Sequence, residues 1–536
     1  MAAETPLTGE RRTWPGIIEI LLVTLLAAAL FAAFVARTDF HVVPLEDVKQ
    51  TVVAARQFAA GEGMTSRCAA PPMIVFLAER GIEEPPWPNA LRSPLPAVLM
   101  GLMMRVTSEP TAVALSSGIF FILSVPLIYL VGFSLAGRPA AVLGTTAYVF
   151  SPAGLYFGAT GLTESSTIFA LAAIVLLLMR PLSWQTVLVA GIAAGIGYLG
   201  RSTIAVWSVI FVGYIVWASW EAGGWRILSR ITLFCLPLLA AIAWWGAEME
   251  KLTGEFGYSA QSDISIRRDT GLYPGRSSSE ALEYWKPREF IIEHPGVMAR
   301  KYARIAEQTW PNFLMMGGLP LLVAFFFVEM VLVLARGKSV RIHWLVYALL
   351  ALQLLLLPLV SFGHGGVSVN RYLDPLGPIA ATLGAAFAIE LLRRRGASMR
   401  LAVIPLTLIV AFTAIPTARQ LAVGPFHHDD LRDAQEISTW LHAQGSPEEI
   451  VASTTYADVA WATGFNAVGI PVTPQEFLRM HREFLAVDWV HLKHRGGLNR
   501  QRTAAWEEVM AGREELTGFH YSTRFEDGSV LLQRVD

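Results

Sequence analysis

The chain has 536 residues, of which 54% are hydrophobic and 16% are charged, and its mean hydropathy is +0.47. This apolar fraction exceeds what one or two soluble cores need, so it indicates a polytopic membrane protein. The formal net charge of −1 gives no reason to expect a nucleic-acid partner. The two cysteines, Cys68 and Cys235, predict neither a disulfide framework nor a metal cluster.

Long apolar segments run through the first 420 residues, and a bilayer crossing needs about 20 apolar residues. The first segment is too long for the apolar part of a signal peptide and lacks a convincing cleavage site, which predicts a retained anchor. Eleven segments are predicted to span the membrane, namely 14–36, 111–136, 139–157, 163–179, 184–200, 202–220, 228–246, 313–336, 342–361, 372–392 and 400–418.

The apolar stretch "SPLPAVLMGLMM" at 93–104 is short and contains two prolines, so it predicts an interfacial or re-entrant helix. If it does not cross, the basic residues divide unevenly, with Arg201 and Arg371 in the short loops of one side. Thirteen lie on the other side: Arg11, Arg12, Arg138, Arg180, Arg226, Arg230, Arg336, Lys338, Arg341, Arg393, Arg394, Arg395 and Arg400. Because basic residues concentrate in cytoplasmic loops, the N-terminus is predicted to be cytoplasmic.

Three large pieces are then predicted to share the extracytoplasmic face: the loops 37–110 and 248–312, and the tail. The tail alternates helical patterns, such as "DLRDAQEISTWLHAQG", with strand patterns, such as "EIVAST", "AVGIP", "DWVHL" and "SVLLQRV". This alternation predicts a small α/β domain, which we place at 421–536 beside a transmembrane domain at 1–420. Because the tail sequence contains no Gly-rich phosphate loop, we expect this domain to shape acceptor access rather than to catalyse.

The stretch "VPLEDVKQTVVAARQFAAGEGM" at 43–64 follows the first predicted span and opens a short helix with two acids, Glu46 and Asp47. At the outer mouth of a helix bundle, such an acid could act as a general base for an acceptor hydroxyl. The alternative is that the two acids only complement the dipole of the helix that they begin.

The arrangement of Glu46-Asp47, a helix with small residues and a Gly-containing turn resembles the first outer loop of membrane glycosyltransferases with the GT-C fold. "ALRSPLPAVLMGLMMRV" is similar to the family's next element, a basic residue and a proline before a periplasmic juxtamembrane helix. "SPAGLYFGATGLTESSTIFALAAIVLLL", "GYLGRSTIAV" and "SVNRYLDPLGPIA" resemble its later outer turns. The resemblance covers most of the chain and favours bacterial members that use lipid-phosphate sugars, such as aminoarabinose transferases and protein mannosyltransferase relatives.

The resemblance implies an inverting hexosyl- or pentosyltransferase in the bacterial plasma membrane. It would move a sugar from a polyprenyl-phosphate donor to a glycolipid, glycan or protein acceptor on the extracytoplasmic face. The family's leading acid is usually Asp, whereas this chain has Glu46 there and Asp47 second. We therefore predict Asp47 as the base, with Glu46 orienting it or the acceptor. Asp39 is a third candidate.

Three arginines, Arg92, Arg201 and Arg371, lie at the outer ends of apolar segments, where the phosphate of such a donor would be. Guanidinium groups match phosphate oxygens bidentately, so these residues are predicted to bind the leaving group. The alternative is that they anchor helix ends among lipid head groups. Arg371 is the favoured ligand, because Tyr372 follows it and His364 lies in the same Gly-rich turn.

Glu164 begins an apolar segment, where an acid is costly unless it pairs or binds a ligand, and a salt bridge to Arg201 is the structural alternative. No metal is predicted as a requirement, because some relatives bind a divalent ion and others need none. Two other functions share parts of this pattern. A transporter or flippase of lipid-linked sugars would place ionisable residues within its spans, and a polysaccharide polymerase or ligase would use the same type of donor.

Overall fold

The computed structural model describes residues 16–38, 45–275, 277–336, 341–360, 371–396, 399–423, 429–493 and 506–535. Two of the predicted site residues, Asp39 and His364, lie outside the described residues, and so do Arg11, Arg12 and Lys338 from the basic set.

Helices form most of the described chain up to residue 423, where apolar segments are long and rarely interrupted by charge. In chain order they are α1 Ile17–Thr38, α2 Glu46–Ala60, α3 Pro71–Ala78, α4 Pro94–Met104, α5 Glu109–Ala136, α6 Arg138–Val149, α7 Pro152–Ala159, α8 Glu164–Leu178, α9 Trp184–Gly200, α10 Thr203–Ser219, α11 Gly224–Thr253, α12 Ala260–Arg267, α13 Pro287–Glu293, α14 Pro295–Thr309, α15 Pro320–Arg336, α16 Arg341–Val360, α17 Gly377–Arg394 and α18 Met399–Val423. Short 3₁₀ turns occupy Trp220–Ala222, Ser277–Ser279, Trp310–Gly318 and Asp374–Leu376.

Among the described residues, six helices are long and apolar enough to cross a membrane, or seven if the bent pair α6 and α7 is counted as one span. The eleven-span count therefore stays a prediction, because several of the other apolar helices are shorter than a full crossing. The span predicted at 139–157 is present as this bent pair, so its crossing of the membrane stays a prediction. The helix breaks between Val149 and Pro152 and bends by 57°, since proline disfavours helical geometry in the residue before it.

The bundle packs around α5, which contacts α1, α4, α6, α8 and α17. Helices α9 and α11 approach closely because Gly191 and Gly195 face the backbone of α11. A Cβ at Gly195 would lie 2.9 Å from the carbonyl oxygen of Pro237. Small residues at this spacing let helix backbones touch without the help of side-chain hydrophobicity. The bundle therefore holds the ends of its helices, and the loops between them, in defined positions.

The tail forms an α/β unit, as its sequence pattern predicts. Its helices are α19 Asp429–Gln444, α20 Tyr456–Thr463 and α21 Pro474–Glu483, and its strands are β4 Ile450–Ser453, β5 Asn466–Gly469, β6 Trp489–Leu492, β7 Phe519–Arg524 and β8 Val530–Arg534. The sequence analysis did not predict strand β7, because hydrophobic and polar residues do not alternate regularly along it. Most of its side chains are exposed or partly exposed.

One strand of this sheet comes from the segment between α2 and α3, within the loop predicted at 37–110. That loop contains β1 Thr65–Ser66, β2 Cys68–Ala69 and β3 Trp87–Pro88, and β1 pairs with β3. Strand β2 instead extends the tail sheet, in the order β2-β5-β4-β6-β8-β7, and lies parallel to β5. The domain boundary at residue 420 stays a prediction, but the sheet joins the tail to the loop that carries Glu46 and Asp47.

Candidate active site

The first turn of α2 carries the two acids that the sequence analysis singled out. The helix begins at Glu46 and ends at Ala60, and it is capped by Gly61, whose φ of 91° is the left-handed conformation that glycine adopts easily. Leu45 at the N-cap provides no side-chain cap, so acids in this first turn complement the helix dipole. The dipole explains why acids are tolerated there. It does not explain the contacts that Asp47 makes.

Asp47 accepts hydrogen bonds from two distant arginines. Its Oδ1 accepts from Nη2 of Arg92 at 2.5 Å, and its Oδ2 accepts from Nη1 of Arg371 at 2.6 Å. Arg92 lies just before α4, and Arg371 lies just before the 3₁₀ turn that leads into α17. Both carboxylate oxygens are therefore held by groups that could also bind an anion.

Glu164 forms the second acidic centre and is completely buried at the start of α8. Its Oε1 accepts from Nη1 of Arg201 at 2.7 Å and from Nε of Arg371. The salt bridge to Arg201 that the sequence suggested is present. Arg371 bridges the two acids, because one guanidinium contacts both Asp47 and Glu164. Among the described residues, Oε2 of Glu164 has no hydrogen-bond partner.

Tyr372 and Gln353 orient the arginine side of the site. The guanidinium carbon of Arg201 lies 5.1 Å from the centre of the Tyr372 ring, within the range of a cation–π interaction. The carbonyl oxygen of Tyr372 accepts from Nε2 of Gln353 at 3.1 Å, and Oε1 of Gln353 accepts from Nε1 of Trp207 at 2.9 Å. These bonds tie the end of the Arg371 loop to α10 and α16.

The exposed fractions show that the arginines line an accessible surface rather than a closed core. The Asp47 side chain is 34% exposed, and those of Arg92, Arg201 and Arg371 are 18%, 13% and 24% exposed. Burial alone would raise the pKa of Asp47, but the positive charges of Arg92 and Arg371 outweigh it and hold the pKa well below its ordinary value. Asp47 is therefore ionised throughout the physiological range.

Glu46 lies in a different environment from Asp47. Burial, the largest cause, raises the pKa of the Cys68 thiol to about 11, and the nearby charge of Glu46 adds to this shift. Glu46 is thus close to the strand that joins the tail sheet. The two acids are adjacent in the chain, and Asp47 is the one whose bonds to Arg92 and Arg371 are described.

Arg268 is a residue that the sequence analysis left without a role. Its positive charge also lowers the pKa of Asp47, after the contributions of Arg92 and Arg371. The signal was the run Arg267-Arg268-Asp269 in the loop 248–312. That run did not show which of the two arginines is buried. The structure shows that Arg267 is the buried one. Its Nε and Nη2 each donate to a carboxylate oxygen of Asp263, one turn earlier in α12, at 2.6 Å.

The backbone around Arg268 is anchored by a buried lysine. Nζ of Lys301 donates to the carbonyl oxygens of Ser265, Ile266 and Leu359 at 2.8, 3.0 and 2.8 Å. Burial lowers the pKa of Lys301 to about 7. Lys301 thereby connects the end of α12 to the end of α16, which holds Arg268 on the side of the bundle where Arg371 lies.

The structure therefore brings together the predicted residues Asp47, Arg92, Glu164, Arg201 and Arg371, with Tyr372 against Arg201. They come from distant parts of the sequence and meet at one end of the bundle, facing the tail domain. We call Asp47, Glu164, Arg92, Arg201 and Arg371 the bundle-end cluster. In the described part of the chain, no group of three or more His, Cys, Asp or Glu side chains is arranged to hold a metal ion.

A bundle of apolar helices, an acid on the helix after the first span and a small α/β domain over the same end define a class of fold. Comparison with solved structures shows that this fold is GT-C, the fold of a group of membrane glycosyltransferases. No protein-family model matches the sequence, and no curated protein sequence matches it.

Three solved structures illustrate the likeness. ArnT from Cupriavidus metallidurans, bound to undecaprenyl phosphate, superposes with a TM-score of 0.57 at 10% identity, over 96% of this chain and 98% of that chain. The oligosaccharyltransferase of Archaeoglobus fulgidus tethered with an acceptor peptide gives 0.58 at 11% identity, over 97% and 74%. The same enzyme in complex with Zn and sulfate gives 0.56 at 12% identity, over 96% and 73%. At these identities the comparisons establish the fold.

Proposed function

We propose that this chain is an inverting glycosyltransferase that moves a sugar from a polyprenyl-phosphate donor to an acceptor hydroxyl. The observation that carries the proposal is the bundle-end cluster. It places one carboxylate, Asp47, between two guanidinium groups at the end of an apolar bundle. A transferase of this type needs a base for the acceptor and positive charge for the departing phosphate.

The reaction is a single displacement at the anomeric carbon. The acceptor oxygen forms the new bond to that carbon as its proton passes to Asp47. The bond between the anomeric carbon and the phosphate oxygen breaks on the opposite face, and both electrons leave with the polyprenyl phosphate. Arg92, Arg201 and Arg371 stabilise the charge that grows on this leaving group. The carboxyl group of Glu164 keeps Arg201 and Arg371 side by side.

Donor binding changes the state of the base in this mechanism. The arginines that would hold the phosphate now hold Asp47, so the phosphate competes with the carboxylate for the same N–H donors. As Arg92 and Arg371 turn toward the phosphate, Asp47 loses the charges that lower its pKa. Its pKa then rises and the carboxylate becomes a better proton acceptor when the donor is in place.

A lipid-linked donor is supported by the position of the cluster and by the fold. The cluster lies at the end of apolar helices, where the phosphate of a membrane-embedded lipid would be, and ArnT was solved with undecaprenyl phosphate bound. We propose a glycolipid, a glycan or a protein as the acceptor. No nucleotide-binding loop is recognisable in the sequence, which disfavours a nucleotide-sugar donor.

The decisive experiment uses a mass-tagged or radiolabelled sugar on undecaprenyl phosphate. Membranes that contain the protein are incubated with this donor, and the product that acquires the label is identified. We expect a labelled acceptor and free undecaprenyl phosphate in equal amounts, and about 10²–10⁴ times slower formation of both with Asp47→Asn. Labelled donor that remains intact in the presence of every acceptor fraction would contradict the proposal.

The proposed location is the bacterial plasma membrane, with the N-terminus in the cytoplasm and the tail outside. The thirteen-to-two distribution of basic residues supports this orientation. A periplasmic reporter fused after residue 536 should be active, and cysteines placed at Arg138 and Arg394 should be protected from an impermeant label. A cytoplasmic tail would put the bundle-end cluster on the wrong side for a periplasmic acceptor.

We propose that the reaction requires no metal ion, because guanidinium groups can supply the positive charge that a divalent ion supplies in other enzymes. Transfer should then continue at an unchanged rate in EDTA. A loss of transfer in EDTA that Mg²⁺ or Mn²⁺ restores would contradict this proposal.

The transporter alternative has one observation in its favour. Oε1 of Glu329 and Nε2 of His343 lie 3.3 Å apart between α15 and α16, and both side chains are 12% exposed. An ionisable pair within apolar helices is what a transport pathway would contain. If Glu329→Gln abolishes movement of a lipid-linked sugar across vesicles while sugar transfer is absent from the wild type, the alternative is correct.

A further inference from the structure

The tail domain is bonded to α2, the helix that carries Asp47, by an ion pair and a hydrogen bond. Nζ of Lys49 lies 2.8 Å from Oδ1 of Asp458, and Nη1 of Arg56 donates to the carbonyl oxygen of Trp461 at 2.6 Å. The same Arg56 binds both carboxylate oxygens of Glu109 on α5 at 2.6 and 2.8 Å. Helix α20 of the tail therefore packs along α2, and Arg56 connects both helices to α5 of the bundle.

A hydrogen-bonded chain connects this interface to the cluster. Nε2 of Gln50 donates to the hydroxyl of Tyr456 at 2.8 Å, and Oε1 of Gln50 accepts from Nε of Arg92 at 2.7 Å. The next nitrogen of that guanidinium, Nη2, donates to Asp47. Gln50 is 3% exposed, so its amide has both ends engaged in a buried place. Asp47 and Gln50 lie three residues apart on one face of α2, and Arg92 spans the turn between them.

The ring of Tyr456 has little freedom to follow Gln50. A Cβ added at Gly469, at the end of β5, would lie 3.3 Å from Cδ1 of that ring and 2.8 Å from Cδ of Pro71. The backbone of the tail sheet thus lies directly against the ring. The position of the hydroxyl is set by the tail domain, and the amide of Gln50 must turn toward it.

We propose that Tyr456 is a positioning residue, through which the tail domain sets the orientation of Arg92 by way of Gln50. The tail then does more than cover the acceptor entrance. It fixes one of the guanidinium groups that receive the donor phosphate, and it does so without touching the substrate. Removing the Tyr456 hydroxyl frees Gln50 to rotate, and Arg92 loses the restraint on its Nε.

The first test does not depend on any enzymatic activity. Purified protein is treated with an arginine-selective dicarbonyl such as phenylglyoxal, and the modification rate at each arginine is followed by peptide mass spectrometry. Tyr456→Phe should raise the rate at Arg92 by about fivefold, the effect of losing one hydrogen bond, and leave the rate at Arg201 unchanged. An unchanged rate at Arg92 would overturn the proposal.

The second test rests on the proposed function and separates positioning from folding. With an undecaprenyl-phosphate sugar, Tyr456→Phe should raise the KM for the donor by about fivefold. The kcat and the KM for the acceptor should change little. Equal donor KM values in Tyr456→Phe and the wild type would also overturn the proposal. If the wild type transfers no sugar from such donors, the proposed function fails, and the labelling of Arg92 still decides the role of Tyr456.

Two matched controls exclude a general effect of damage to the tail. Tyr521→Phe removes a hydroxyl that donates to the carbonyl oxygen of Met510 at 2.5 Å, elsewhere in the same domain. Asp458→Asn weakens the interface with α2 without touching Gln50. Neither variant should alter the labelling of Arg92 or the donor KM. If Asp458→Asn matches Tyr456→Phe in both measurements, docking of the tail is responsible and the specific chain is wrong.

A double variant tests whether Tyr456 acts through Gln50. Gln50→Leu removes both hydrogen bonds of the chain, so its effect on labelling of Arg92 and on donor KM should be at least as large as that of Tyr456→Phe. Adding Tyr456→Phe to Gln50→Leu should then change neither measurement further, because the chain is already broken. Additive effects in the double variant would contradict a single chain.

Discussion

Two groups of acids and arginines in this protein have the same chemistry and different architecture. The loop pair, Asp263 and Arg267, lies one turn apart on the eight-residue helix α12, and its side chains are 1% and 0% exposed. Nη2 of Arg267 also donates to the carbonyl oxygens of Ser278 and Glu283 at 3.3 and 3.1 Å. Every member of this pair is close in the chain, so one local fold sets its geometry.

The bundle-end cluster is assembled from five separate parts of the chain, and four of its five side chains are 13–34% exposed. Its three guanidinium groups contact two carboxylates, and Arg371 is shared between them. A ligand with its own negative charge can therefore exchange partners with these groups. The comparison indicates that the loop pair, built within one helix, stabilises the fold, whereas the bundle-end cluster, built across helices, can exchange its partners during a reaction.

The largest expected effect tests whether Asp47 is the base. Asp47→Asn keeps the shape of the side chain but cannot accept a proton, so transfer should fall by about 10²–10⁴ while donor binding stays nearly intact. Asp263→Asn, in the loop pair, should instead act through stability. Transfer rates and donor affinities are compared across Asp47→Asn, Glu46→Gln and Asp39→Asn. Full activity in both Glu46→Gln and Asp47→Asn would show that the two acids only begin a helix.

The second prediction compares one arginine from each group. Arg371→Ala should weaken donor use by about 10- to 100-fold, the loss of a charge-assisted hydrogen bond, and Arg371→Lys should recover part of it. Arg267→Ala should lower the free energy of unfolding by about 3–5 kcal/mol, because it leaves a buried carboxylate without its partner. Donor KM and melting temperature are measured for each variant. Unchanged donor use in both Arg371 variants would make Arg371 a structural anchor.

The third prediction concerns pH and has opposite signs in the two groups. Burial raises the pKa of Asp263 to about 6, against the pull of Arg267, whereas Arg92 and Arg371 hold the pKa of Asp47 well below its ordinary value of about 3.9. The stability from Asp263 is therefore fully present below about pH 4 and is lost as the pH rises through 6. That from Asp47 is present above about pH 4 and is lost as the pH falls further.

Melting temperatures of the wild type, Asp263→Asn and Asp47→Asn between pH 3 and pH 7 check this contrast. The advantage of the wild type over Asp263→Asn should shrink from pH 4 to pH 7, by roughly 2 kcal/mol in unfolding free energy. Its advantage over Asp47→Asn should shrink below pH 4. If the advantage of the wild type over both variants changes in the same direction with pH, the pKa values of Asp263 and Asp47 are shifted in the same direction and the prediction is wrong.

The smallest effect concerns the release of Asp47 by the donor. Arg92→Gln removes one of the charges that lower the pKa of Asp47, so the acidic limb of kcat/KM should move up by about 1–3 pH units. In the wild type, the acidic limb of kcat should lie at higher pH than that of kcat/KM, because kcat reports the complex in which phosphate has taken the arginines. If the acidic limbs of kcat and kcat/KM coincide, donor binding does not separate Asp47 from Arg92 and Arg371.

The sequence by itself determined the local elements and the set of candidate residues. Apolar runs predicted the long apolar helices of the bundle in outline, though not the break between α6 and α7. The alternating pattern of the tail predicted β4, β5, β6 and β8, because periodicity and turn residues act over a few neighbours. The uneven distribution of basic residues pointed to Arg201 and Arg371 as unusual. The acids Asp47 and Glu164 were found because each begins a helix beside apolar chain.

Tertiary structure alone decided how those residues meet. Arg371 bridges Asp47 and Glu164, and no local pattern relates residues so far apart in the chain. The same applies to β2, which pairs with β5 across some 400 residues, and to Arg268, which local sequence does not distinguish from its buried neighbour Arg267. Such contacts depend on which helices become neighbours, and that is set by the packing of the whole bundle, in which each side chain contributes only a small part.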